Sequence, residues 1–140
     1  MDIAMIIGRV LFTLMFVTGG LNHFTKSGAM TGYAQFKKVP AAKASVFISG
    51  AVLLLGGLSV ILGVYADLGS IALAVALIAM ALKMHDFWSQ TDPQAKQTET
   101  VAFFKNISMA GAAIFMFALV ASGGEFGPSI SADMLSLWAK

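Results

Sequence analysis

Cysteine is absent from the 140 residues. That excludes disulfides, thiolate metal sites and cysteine-based electron relays. Charge is scarce too, at 11% of residues, against about 25% in soluble domains. So few charges cannot coat a soluble globule. Sustained alternation of apolar and polar residues is missing, which argues against a membrane β-barrel. The chain carries no P-loop, dinucleotide fingerprint, nucleophile elbow or zinc motif. The net charge of +2 and pI near 9.1 are mild and point away from nucleic acid. What remains is apolar: 58% hydrophobic residues and a mean hydropathy of +0.82.

The apolar residues fall into four runs, Ile3 to Leu21, Ala44 to Tyr65, Leu68 to Met84 and Val101 to Ser122. A bilayer core takes about 20 helical residues to cross, and backbone in lipid must satisfy its own hydrogen bonds. The predicted fold class is therefore all-α, an integral membrane four-helix bundle forming one domain over residues 1–140. Residues 22–43 and 85–100 read as long polar loops, and residues 66–67 as a tight turn making helices two and three a hairpin. Asp92-Pro93 reads as a turn or helix start. Ser129 or Ser131 could cap a short interfacial segment over 129–138, with Trp138 at the membrane interface. The Met1-Asp2 start lacks the basic region of a signal peptide, so the first run reads as a retained helix. Both halves run helix, histidine, aromatic, polar loop and helix, which suggests a weak internal repeat.

Lysines set the orientation. Lys26, Lys37, Lys38, Lys43, Lys83, Lys96 and Lys105 lie in or beside the two long loops, whereas the other side has Lys140 with Asp2, Asp67, Glu125 and Asp133. The positive-inside rule then places both loops in the cytoplasm and both termini outside.

Seven residues are candidates for chemistry. Arg9 sits inside the first apolar run, where a charge is costly unless it snorkels or finds a partner. Asp67, Glu125 and Asp133 are the available acids; an anion or a quinone carbonyl is the functional alternative. His23 and His85 close two runs at the same membrane face and suit proton transfer or quinone hydrogen bonding. With Asp86 they match no metal-binding spacing. Asn22 adjoins His23. Asp86 is expected to pair with Lys83 or Lys105. Asn106, at the start of helix four, suits a bridge between helices or a bond to a ligand carbonyl. Phe87, Trp88, Phe103 and Phe104 read as an interfacial aromatic belt that could also line a slot for a quinone ring.

These residues together resemble the DoxX/DoxD-like membrane family. The likeness runs through Arg9, Gly19-Gly20-Leu21-Asn22-His23-Phe24, the loop from Tyr33 to Pro40, His85-Asp86-Phe87-Trp88, Phe103-Phe104-Lys105-Asn106 and the tail from Gly127 to Asp133. The resemblance implies a four-helix protein of the bacterial inner membrane. One branch of the family is the membrane subunit of a thiosulfate–quinone oxidoreductase; another is tied to oxidative-stress complexes.

Three functions follow as expectations. In the first, the chain is a subunit of a quinone-linked redox system. His23 and His85 move protons, and Asn22, Asp86, Lys105, Asn106 and Arg9 contact the ligand; quinone is the one cofactor this allows. In the second, the bundle is a scaffold that docks a soluble or membrane partner subunit or anionic lipid. In the third, it carries a small solute or lipid as a homo-oligomer. The lipid bilayer is the partner common to all three.

Overall fold

The computed structural model describes residues 1–130 and 132–138. Five α-helices follow in order: α1 Asp2–Thr25, α2 Ser27–Phe36, α3 Ala42–Leu62, α4 Ala66–Met84 and α5 Pro93–Ala121. There is no strand among the described residues. Helices α1, α3, α4 and α5 are long and apolar enough to cross a membrane. Exposed Leu11, Leu55, Val75 and Phe115 show the kind of surface they present outward, one matched to lipid. A multi-pass membrane bundle is the result.

The four long helices alternate in direction, so the bundle has two ends. One carries the segments around His23 and His85 and is called the histidine end. The other carries both termini. Small residues bring the backbones together. A Cβ on Gly20 would lie 2.8 Å from the Leu54 nitrogen, and one on Gly50 would lie 2.5 Å from the His23 Cβ. α1 therefore packs tightly on α3, α3 on α4 through Gly56 and Gly69, and α4 on α5. The shared core gathers Phe16, Leu53, Val60, Leu73, Leu77, Ala110, Ala113 and Val120.

Three features depart from the sequence reading. The segment 22–43 is mostly helical. α1 continues to Thr25, and α2 packs Met30 and Ala34 against Val39, Ala42 and Val46. Burying that small apolar face outweighs the helix-weakening Gly28 and Gly32. The hairpin turn lies at residues 63–65, two to three residues earlier than the expected 66–67. Gly63 ends α3 in the left-handed conformation at φ 66°. The second half of residues 85–100 is also helix, because Asp92 accepts from the Ala95 N–H at 2.8 Å and Pro93 opens α5. Between α4 and α5 only a 3-10 turn, Phe87–Ser89, remains. The tail forms a 3-10 turn at Ala132–Met134 in place of a longer segment; Ser131 and Lys140 fall outside the described residues.

Candidate functional site

The densest polar constellation lies at the histidine end, where α2, α4 and α5 meet. Lys37 follows the last turn of α2. Lys38 then takes a left-handed φ of 55° ahead of Pro40, turning the chain into α3. The Lys37 side chain is only 6% exposed. Its Nζ donates to Asp86 Oδ1 at 2.5 Å and, more weakly, to Glu99 Oε1 at 3.4 Å. Nζ also lies 5.7 Å from the Tyr33 ring centroid. The Tyr33 hydroxyl donates to Glu99 Oε1 at 3.3 Å. The other oxygen, Glu99 Oε2, is 2.8 Å from His85 Nδ1. A carboxylate accepts, so Nδ1 carries the proton in this pair and Nε2 is the nitrogen left for other work.

Electrostatics follow from that geometry. Burial alone would lower the Lys37 pKa. The Asp86 hydrogen bond and the surrounding negative groups outweigh it and hold the ammonium above the usual lysine value. Burial raises the Tyr33 phenol, and the Glu99 carboxylate adds to the rise. Beside this network stands an aromatic wall. Phe87 meets Trp88 at 5.2 Å and Phe103 at 5.3 Å, and Phe103 meets Phe104 at 5.3 Å, all edge to face.

His23 belongs to a second, separate network at the same end. Its Nδ1 is 2.9 Å from the Val46 carbonyl and 3.0 Å from Ser49 Oγ. The carbonyl can only accept, so Nδ1 donates and Nε2 is again the free nitrogen. The structure thus brings His85 to α5 and His23 to α3, each anchored through Nδ1. Asn22 is half-buried, and its carbonyl accepts from the Lys26 N–H at 2.8 Å.

The other candidates scatter. Asp86 pairs with Lys37; Lys83 and Lys105 are exposed, without an ion pair to any described residue. Asn106 is 7% exposed. Arg9, 6% exposed, is at the opposite end. Its Nη1 and Nη2 donate to the carbonyls of Phe126 and Pro128, at 3.2 and 2.6 Å, and the Phe126 ring lies 5.1 Å from its Cζ. The guanidinium reaches backbone oxygens of the tail and pairs with no described carboxylate. Asp67 is fully buried nearby in the fold. It accepts from the Ser136 hydroxyl at 2.5 Å and from the N–H groups of Leu137 and Trp138. Two buried charges of opposite sign thus strap the tail across the terminal end. No group of three described His, Asp or Glu side chains could hold a metal.

The sequence reading gives Glu99 no role, takes Tyr33 only as the start of the loop that runs to Pro40, and takes Lys37 only as part of that loop and its lysine set. One signal for Glu99 was there: it precedes Asn106 by seven positions, which puts the two on one helical face once α5 is known to start at Pro93.

Comparison with curated proteins and with solved structures returns no match. The family model described as DoxX matches residues 4–86, from the first turns of α1 through His85 and Asp86. That stretch exceeds half the chain and contains both histidines, and the chain belongs to the DoxX family.

Proposed function

We propose that this chain is the membrane subunit of a quinone-linked redox system in the bacterial inner membrane, with its histidine end in the cytoplasm. The observation that carries the reading is the His85–Glu99 pair, tied to Lys37 and Asp86 and placed against the Phe87, Trp88, Phe103 and Phe104 wall. Quinone reduction takes up two protons with two electrons. A group that exchanges protons at the water boundary beside an apolar slot is what such a reaction asks of the protein. Glu99 orients the imidazole, leaving Nε2 to exchange protons with water. Lys37 holds the local charge near neutral, so that two carboxylates can share the site. Electrons come from a redox-active partner subunit, because a chain without cysteine has no thiol relay of its own.

The test compares quinone-dependent electron transfer in membranes holding wild-type protein, His85→Ala and Glu99→Gln. Both variants lose most of the activity while the bundle stays folded. Unchanged activity in both would end this reading.

A second reading rests on a different observation. Lys26, Lys38, Lys43, Lys83, Lys96 and Lys105 are all exposed, and Lys37 takes up Asp86 and Glu99 internally. The histidine end therefore presents unneutralised positive charge, which suits docking of an acidic partner subunit or anionic lipid. Loss of a co-purifying protein on exchanging these lysines for glutamine, with quinone binding intact, would favour the scaffold.

A further inference from the structure

An open groove lies where the end of α2 meets the start of α3. Its volume is about 620 Å³, and Gln35, Ala41, Ala42, Lys43, Ala44 and Phe47 line it. That volume falls within the range of small-molecule sites, about 300–1,000 Å³. The walls are held from inside the fold. Met30 and Ala34 of α2 pack on Ala42 and Val46 of α3. The Ser45 hydroxyl donates to the Pro40 carbonyl at 2.8 Å, and the Val39 N–H donates to the Ala34 carbonyl at 2.9 Å. These bonds fix the loop between the helices, so the groove is formed before anything enters it.

The groove straddles the edge of the bilayer. The second apolar run begins at Ala44, and Lys43 is the last charge before it. Lys43 and Phe47 are four residues apart and share one face of α3, with the cation on the water side of the ring. Phe47 is exposed and meets exposed Phe24 of α1 at 5.8 Å. Exposed Ile48 continues the apolar surface towards the hydrocarbon. On the other wall, Gln35 adjoins Phe36, which is 77% exposed. A cationic rim thus gives way within one helical turn to an aromatic, lipid-facing floor.

The charge at this place has one sign. No carboxylate lines the groove. Asp86 and Glu99, the acids that reach α2, are engaged by Lys37 and His85. Lys38 and Lys43 are exposed and have no ion pair to any described residue. A free cation beside an apolar floor at the bilayer edge matches an occupant that is anionic at one end and apolar at the other. An acidic peptide would leave the lipid-facing floor uncovered, and a neutral lipid would leave the lysine unanswered.

We infer that the groove seats one anionic phospholipid from the leaflet at the histidine end. The phosphodiester lies against the Lys43 ammonium, with the Gln35 amide as a second donor. The N–H groups of Ala42, Lys43 and Ala44, which no side chain caps, complete its surroundings. One acyl chain runs over Phe47 and Ile48. The lipid braces α2, the helix that carries Tyr33 to Glu99 and, just past its end, Lys37 to Asp86. This site narrows the second reading above, on which it rests, from positive charge spread over one end to a single groove. It is independent of the redox reading.

The experiment uses the delipidated full chain in neutral detergent, as wild type, Lys43→Gln, Lys43→Arg and Ala44→Trp. Positions 43 and 44 are both exposed, so all four proteins are expected to unfold at the same temperature without lipid. Native mass spectrometry counts bound phosphatidylglycerol and phosphatidylcholine of identical chains. A phosphatidylglycerol with a photoreactive group near the head of one chain maps the contact. The expected result is one phosphatidylglycerol per wild-type chain, held more tightly than phosphatidylcholine. Binding weakens about fivefold in Lys43→Gln, the share of one lysine beside an anionic lipid. It is kept in Lys43→Arg and lost in Ala44→Trp, whose indole fills the groove. Label is expected within residues 35–48. Phosphatidylglycerol preferred by wild type but bound equally by Lys43→Gln and Ala44→Trp, or labelling other residues, overturns the groove and leaves the second reading standing. Equal binding of the two lipids by wild type overturns the groove and the lipid arm of that reading together. Displacement of the lipid by excess inorganic phosphate makes this a free-anion site and overturns the lipid assignment.

Discussion

Replacing Lys37 with methionine keeps the apolar stem and removes the charge. In the wild type the ammonium is 2.5 Å from Asp86 and 3.4 Å from Glu99, with a side chain 6% exposed. Its loss leaves two carboxylates facing each other without a cation. Removing one partner of a fully buried pair costs roughly 3–5 kcal/mol. Asp86 is 29% exposed, and water screens part of the repulsion, so the expected cost is about 2–3 kcal/mol. For a chain of this length that lowers the unfolding temperature by roughly 6–12 °C. Asp86→Asn in the same chain removes one of the two stranded carboxylates, so the double variant recovers stability, with a coupling of about 1–2 kcal/mol. The pH dependence has a definite sign. The folded Lys37 pKa is raised, so its contribution is complete below the unfolded lysine value, about 10.4, and is lost as pH rises through the folded value. Wild-type protein therefore loses stability in strong alkali faster than Lys37→Met does. Thermal unfolding in detergent at pH 7 and pH 11 reads both effects. Equal unfolding temperatures for the two proteins at pH 7 would refute the argument that this charge holds α2 to α4 and α5.

Three further outcomes follow from the same structure. Arg9→Met removes two donors from the tail carbonyls and is expected to cost about 2 kcal/mol; protease cutting within residues 122–130 becomes faster, and an unchanged cutting rate would contradict the clamp. Asp67→Asn loses the charge that gathers the Ser136 hydroxyl and the Leu137 and Trp138 N–H groups, so Trp138 leaves its edge contact with Phe117, 5.7 Å away; near-ultraviolet circular dichroism falls, or the tail is held by something else. Gly50→Ala forces a methyl to within 2.5 Å of the His23 Cβ, which separates α1 from α3 and costs roughly 1–3 kcal/mol; a melting curve matching wild type would mean that the seam has slack.

The fold was legible because hydrophobic length carries it. Four apolar runs against a fixed bilayer thickness leave little choice of architecture, and the two histidines fall at one end by parity alone. What could not be read from the sequence came from contacts far apart along the chain. Lys37 looks like any basic loop residue, and only the packing of Ala34 against Ala42 and Val46 turns it inward. Glu99 reads as part of a polar connection until Asp92 and Pro93 are seen to start α5 six residues before it. Arg9 was expected beside a carboxylate or at the surface. It meets carbonyls more than a hundred positions away, supplied by a tail whose glycines and proline give no hydrophobic pattern to follow. Asp67 is the counterpart, a carboxylate satisfied by a hydroxyl and backbone N–H groups.

The two ends of the bundle divide the work accordingly. At the terminal end, Arg9 and Asp67 spend their charge on the chain itself. At the histidine end, His23 and His85 are each fixed through Nδ1, with Nε2 unclaimed by the contacts described.

The most direct measurement is mass spectrometry of small molecules extracted from protein purified gently out of its own membranes, in wild type and Glu99→Gln. The account predicts quinone near one per chain in the wild type and a marked loss in the variant. Wild-type protein free of quinone, with a partner protein or anionic lipid co-purifying in its place, would contradict the redox role and favour the scaffold.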